Sequence, residues 1–344
     1  MRRRAFVTSS LAFAAVGLSV RSRTAYAGQS DDEFDPASAT ARGQALRVLL
    51  GRGDARAIDG STFWFRGRRY RGTFSYAAGG GRVVSVVPLE QYLYSVVPRE
   101  MPPSWPFAAL AAQAIAARTY VLQRSNPRRE YDVVPSEVDQ VYTGIDAENP
   151  ASTGAVDRTA GAVLRFNGSF AQAVYSSCCG GHTESSADAW GGAPLSYLGG
   201  VICPYCTASP WYRWSRSFHA RRLRAAFGSK IAALGPLRSI NIAERDASGR
   251  ARYVDIAGAD GAFRSEGSAF RLAVGPRILP SLLLVSIAFA GDPAQAGARV
   301  AIEGGGLGHG VGLCQWGARG MAVAGASADT ILNFYFPGTH VGDD

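Results

Sequence analysis

One stretch constrains this chain more than any other. Pro106 opens an apolar, alanine-rich segment from Phe107 to about Arg124, and Asn126-Pro127 lies just beyond its end. Proline at the start and again past the close bounds a helix of about five turns. Its stripe Ala111, Ile115, Arg118, Leu122 follows the helical spacing, so Arg118 lies on an apolar face and needs a partner. On both sides of this helix the pattern changes. Leu46–Leu50, Thr62–Arg66, Gly72–Tyr76, Arg82–Pro88, Ala162–Phe166, Ala171–Ser176, Ser239–Ile242, Ala251–Ile256 and Leu282–Ala288 are short, β-branched or aromatic, and punctuated by glycine. Such pieces read as strands and hairpins. Gln315–Ala326 and Ile331–Pro337 follow a glycine-dense run, Gly304–Gly312. The expected class is therefore α+β, with mixed short antiparallel strands and a few helices.

Residues 1–27 read as an address. Arg2, Arg3 and Arg4 precede an apolar run from Leu11 to Val20, and Ala25-Tyr26-Ala27 has the form of a cleavage site. The Arg3-Arg4-Ala5-Phe6-Val7 string and the diluted apolar run favour twin-arginine export over the general secretory route, so the mature protein is expected in the periplasm, cell wall or medium. Residues 28–43 form a polar, acidic linker, and 44–344 the functional domain. No stretch offers about 18 uninterrupted apolar residues, so no transmembrane segment is expected. The formal charge is +9, but five arginines belong to the leader; without it, 31 basic residues face 27 acids. A weakly basic, exported chain suits an anionic polymer such as the cell wall, although charge alone does not separate that from nucleic acid.

The cysteines suggest a metal. Cys179-Gly180-Gly181-His182 and Cys203-Pro204-Tyr205-Cys206 supply four soft ligands from two tight turns. The expectation is a structural zinc held by Cys179, His182, Cys203 and Cys206, with Cys178 an alternative to Cys179. Export in the folded state would allow metal loading before translocation. The competing reading is a disulfide between the two loops with His182 idle. Cys314 is expected to be a small buried residue. Glu100, flanked by Val97, Met101 and Trp105, falls at what looks like a strand-to-helix junction, and apolar surroundings would raise its pKa for general-acid work.

The strings LEQYLYSVVPREMPPSWPFAALAAQAIAARTYVL, QVYTG, YSSCCGGHTESSADAW, CPYCTASPWYRW and GHGVGLCQWGARGMAVAGASADTILNFYFPGT, in that order, closely resemble the SpoIID/LytB family of cell-wall proteins. The resemblance implies a peptidoglycan lytic transglycosylase that cuts glycan strands, preferring those stripped of stem peptides. It implies that Glu100 is the catalytic acid and base, and that Arg118, Gln140, Tyr142, His309, Gln315 and Trp316 line a substrate groove beside the Phe107–Arg124 helix. The paired cysteine motifs resemble the zinc site of one branch of that family. Glycan strands are then the expected partner and nucleic acid is not. One departure is that Ala108–Gln113 lacks a lysine common in the family helix, which touches glycan grip rather than chemistry.

Bland alternatives stand beside these roles. Arg118 could hold substrate or tune Glu100, or could be a structural arginine paired with Asp132 or Asp139. His309 could bind sugar or pack in a tight glycine turn. Tyr92, Trp105, Tyr142, Trp316 and Tyr335 suit sugar stacking but also suit a core. Two other functions stay open. A non-catalytic wall-binding module that stimulates a cell-wall amidase is one, with the amidase as partner. A metal-dependent hydrolase is the other, which would need an open coordination position.

Overall fold

The structure is a computed structural model that describes residues 44–293, 295 and 297–343. The leader and linker expected over 1–43 lie outside these residues. The architecture is α+β.

The expected helix is present over Phe107–Arg124 (α2), and it is the centre of the larger core. It follows a first helix, Leu89–Glu100 (α1), and precedes a third, Pro150–Arg158 (α3). Both pack on α2, as do the strand Ala162–Phe166 and the C-terminal helices Gln315–Val323 and Ala328–Tyr335. Neighbours on every side explain its composition. Alanine occupies six of its thirteen buried positions and lets other backbones come close. Ser125 ends it in extended conformation, its N–H still donating to Val121.

The sequence reading placed Glu100 between a strand and a helix. The structure differs: Glu100 is the last residue of α1. Pro98 sits in the final turn and Pro102-Pro103 follows at once, so the prolines that made this stretch read as non-helical mark the end of a helix rather than its absence.

Above the helices lies an antiparallel sheet in the order Ala45–Arg52, Arg82–Pro88, Thr73–Tyr76. A second ribbon joins Ala55–Ala57, Thr62–Phe65 and Arg68–Arg71. The C-terminal strand His340–Asp343 pairs with Ala162–Phe166, returning the chain end to the middle of the fold. Of the expected piece Ala171–Ser176, only Tyr175–Ser176 is a strand; it runs parallel to Leu313–Cys314. That two-residue ladder joins the cysteine loop to the glycine-dense run.

A second hydrophobic core stands between Trp214 and Ile302. It is built from two antiparallel three-stranded sheets and three short helices. One sheet has the order Trp214–His219, Arg299–Gly305, Leu283–Ala290, and the other is Leu237–Arg245, Ala251–Gly258, Ala262–Glu266. The chain enters this module just after Cys206 and leaves it just before Leu313, so it is an insertion into the first core.

Candidate active site and cysteine cluster

Glu100 opens into a cleft of about 420 Å³ at the C-terminal end of α2. The walls are Tyr120 and Arg124 of α2, the Glu137–Asp139 loop, Tyr175–Ser177, Trp190, Leu307–His309 and Gln315. One carboxylate oxygen of Glu100 accepts the Val141 N–H at 3.1 Å. Burial pushes its pKa up to about 7. The Val141 N–H and the nearby Gln315 and Tyr175 side chains favour the ionised form, while the charge of Glu137 opposes it; burial outweighs the others. The result is a carboxyl that holds or releases a proton near neutral pH.

Two other acids line the cleft and differ from it. Asp139 is committed: it accepts from Val134 N–H at 2.8 Å and the Tyr120 hydroxyl at 3.0 Å, and pairs with Arg124 at 3.0 Å. Glu137 is exposed at the mouth.

His309 and Gln315 meet Glu100 in this cleft. The His309 ring is saturated by backbone: Nδ1 accepts from Val311 N–H at 3.1 Å, and Nε2 lies 2.9 Å from the Tyr175 carbonyl. With Nδ1 an acceptor, Nε2 carries the proton. Burial holds the imidazole down, at about 4, so it stays neutral. Its work here is to fix Tyr175 against the cleft, with its face against Trp190 at 5.2 Å. Gln315 reaches back to Gln113 of α2 at 3.2 Å.

The other expected groove residues are elsewhere. Arg118 has no exposed surface and does not line the cleft. Its guanidinium clasps Glu90 of α1 through two hydrogen bonds, 2.8 and 2.6 Å, and donates to the Ala162 carbonyl at 3.0 Å. Its partner is thus Glu90, not Asp132 or Asp139; Asp132 is taken by Arg47 at 2.7 Å. Gln140 is buried, accepting from the Tyr92 hydroxyl and donating to the Ala117 carbonyl. Tyr142 packs between Tyr92 and Tyr70 in the core. Trp316 crosses Trp105 edge-on at 5.0 Å beside Arg319. Sequence reasoning missed Tyr175, Ser176 and Trp190, which flank the Cys-Gly-Gly-His turn and carry no spacing signal of their own.

Beside the cleft, Cys179, Cys203, Cys206 and Cys314 bring four buried sulfurs within 4.8 Å of one another, and could hold a metal ion. All four are free thiols in this structure, with no sulfur–sulfur bond between the two loops. His182 is not in the group; its Nδ1 lies 2.6 Å from the Thr183 carbonyl. Cys314, expected only as a small buried residue, is buried and joins the group, because the Tyr175–Ser176/Leu313–Cys314 ladder delivers it to the cysteine loop. Cys178 forms a backbone bridge with Leu307, and its thiol lies beside those of Cys206 and Cys314 at the edge of the group.

Arg250, from the tight turn after Leu237–Arg245 in the inserted module, ties these parts together. Almost fully buried, it donates to the Cys179 carbonyl at 2.9 Å and the His182 carbonyl at 3.0 Å, and pairs with Glu184 at 3.2 Å. Burial nonetheless raises Glu184 to about 8, with Arg250 opposing the shift.

The family description "Stage II sporulation protein" matches residues 77–166, which include α1, α2 and Glu100. A stage II sporulation protein D of Bacillus amyloliquefaciens is 30% identical over 284 residues, covering 76% of either chain. The chain belongs to the stage II sporulation protein D family. An uncharacterised protein of Brachyspira hyodysenteriae is 36% identical over 265 residues, 76% of this chain and 68% of its own. An amidase enhancer of Bacillus subtilis is 30% identical over 290 residues, and there the match spans 40% of the relative. Residues 206–312, the inserted module, match a separate domain of unknown function, DUF8618. In this member of the stage II sporulation protein D family, the family match closes at Phe166, and the module's match opens at Cys206 and closes two residues before Cys314. No helix among the described residues is long and apolar enough to cross a membrane.

Proposed function

We propose that the protein is an exported cell-wall enzyme, a peptidoglycan lytic transglycosylase, with Glu100 as its acid and base. The observation that carries this is one carboxyl raised to about 7 in a cleft whose other acids are tied up or exposed. A hydrolase needs a second carboxylate to activate water or to form a glycosyl-enzyme. A lytic transglycosylase needs one group used twice. Glu100 gives its proton to the glycosidic oxygen as the C1–O bond of muramic acid breaks. The resulting carboxylate then takes the proton of the same sugar's 6-hydroxyl as O6 bonds to C1. The products are a new 4-hydroxyl end and a 1,6-anhydro ring, with no water consumed and Glu100 protonated again. Tyr175 and Gln315 are the cleft groups close enough to Glu100 to steady it between the two steps.

The experiment is product analysis on purified glycan strands freed of stem peptides. An anhydro-muramyl end, lighter by one water than the hydrolysis product, is expected. A reducing-end product would favour Glu137 as a second acid and hydrolysis as the reaction. An amidase-enhancing role is the second reading, supported by the relative of that name. It predicts no glycan product and a faster amidase.

The cysteine cluster is assigned to a structural zinc. A Zn–S bond of about 2.3 Å sets the sulfur-to-sulfur edges of a tetrahedron at roughly 3.8 Å, and Cys179 and Cys206 lie 3.6 Å apart. Thiolate charge has partners: Cys314 accepts N–H groups from Cys179 and Gly317, and the Tyr335 hydroxyl lies 3.0 Å from Cys203. Four protein ligands leave no position for water, so such an ion would fix the loops beside Glu100 and supply no chemistry. Twin-arginine export, which carries folded cargo, fits a site completed before translocation.

A further inference from the structure

The inserted module carries the charge of this chain. Residues 206–312 hold fourteen arginine or lysine side chains against seven carboxylates, a net +7, whereas residues 44–205 and 313–344 together hold sixteen of each. The surplus has a focus. Strand Trp214–His219, the edge of its sheet, the short helix Arg221–Phe227 and the start of strand Arg299–Gly305 enclose a cleft lined by Arg221, Arg222, Arg299, His219 and Ser217 over an apolar floor of Phe218 and Ile278. No carboxylate lines it. The cations are held in place: Arg299 donates to the Ser217 hydroxyl at 2.7 Å and stands 3.2 Å from His219, and Arg222 donates to the Val274 carbonyl at 2.6 Å. Exposed Arg216 and Arg224 extend the same surface along the strand and the helix.

Three guanidinium groups around one cleft repel each other unless an anion lies between them. A planar carboxylate is satisfied by a single guanidinium fork, whereas a phosphate offers acceptors in several directions to donors arriving from separate elements. Charge running past the cleft suits a repeating anion rather than a single small one. We propose that this cleft is a docking site for a linear phosphodiester polymer, holding the enzyme to its surroundings while the first core acts. Nothing in this depends on the reaction at Glu100.

The test uses the full chain and labelled poly(glycerol phosphate) as probe, with binding read by fluorescence anisotropy across salt concentrations. Arg221→Gln/Arg222→Gln/Arg299→Gln should weaken binding by about tenfold or more and flatten its salt dependence. Arg238→Gln/Arg252→Gln/Arg264→Gln removes the same charge from exposed positions on the other sheet, and should stay within about threefold of the parent. Arg221→Gln alone, at an exposed position, gives a partial loss and keeps the test open if the triple variant does not fold. Equal loss in both triple variants, or loss in neither, overturns the site. Equally tight binding of poly-glutamate, or of phosphatidylglycerol vesicles, overturns the phosphodiester assignment in favour of carboxylates or a membrane surface.

Discussion

Glu100 ties stability to pH as well as reaction to pH. Its pKa rises from 4.5 to about 7 on folding, so the fold favours the protonated form. That contribution is complete below about pH 4.5 and is lost as pH rises through about 7. Glutamine mimics the protonated carboxyl. Glu100→Gln should therefore match the parent's stability near pH 4.5 and exceed it at pH 8 by roughly 3 kcal/mol, on the order of the shift itself, measured by denaturant unfolding. The same variant should lose about 10²–10⁴-fold or more in turnover, and the parent should lose activity above pH 7 as the acid ionises. A variant that is dead but gains no stability at high pH would mean the carboxyl is less buried than described. Arg118 calls for a different experiment, because its partner is Glu90. Arg118→Met leaves the half-buried Glu90 carboxylate without its cation and should destabilise by about 2–4 kcal/mol, whereas Arg118→Met/Glu90→Leu should recover most of that. If the double variant is stable yet inactive, Arg118 serves substrate after all.

At the scale of elements, the turn Gly308–Gly312 joins the cleft to the inserted module. Gly310 has φ +82°, and a Cβ there would stand 2.1 Å from the Arg250 guanidinium. Gly310→Ala should cost about 1–3 kcal/mol for the left-handed backbone, and more as Arg250 leaves the Cys179 and His182 carbonyls. Thermal unfolding together with turnover checks this; an unchanged melting temperature would show that Arg250 yields freely. How far these elements were legible depends on what defined them. Helix α2 was readable because prolines bound it and its apolar period runs its whole length, interrupted at Arg118. Helix α1 was hidden, since Pro98 lies inside its last turn and local propensity argues against what tertiary packing enforces. The strands Arg82–Pro88 and Ala162–Phe166 were visible as β-branched runs. Glu100 was found by motif and its burial anticipated from apolar neighbours. The place of Cys314 in the cluster escaped because motif spacing reports only cysteines close in sequence, and this one arrives through a two-residue parallel ladder. His182 shows the converse: directly after the Gly180-Gly181 pair it satisfies the spacing, but the turn aims its ring at the Thr183 carbonyl.

The whole molecule is two cores joined at a neck, and the four cysteines are that neck. Cys203 and Cys206 stand where the chain enters the inserted module and Cys314 where it returns. Cys314→Ser should strip the metal and lower the melting temperature by roughly 5–10 °C, whereas His182→Ala should keep about one ion per chain by elemental analysis. Retention of metal in Cys314→Ser would restore the histidine as ligand. The neck has a consequence for binding strength. Before the module folds, Cys314 is tethered to Cys206 by a loop of about a hundred residues and searches a large volume. Once the second core closes, the same thiol is confined within a few ångströms of the other three, so its effective concentration rises by orders of magnitude. Folding of the module and affinity for the proposed zinc are thus expected to be reciprocal: a cavity made at Phe270, in the second core and outside the cysteine cluster, would appear as weaker metal binding, and added metal would appear as a more stable module.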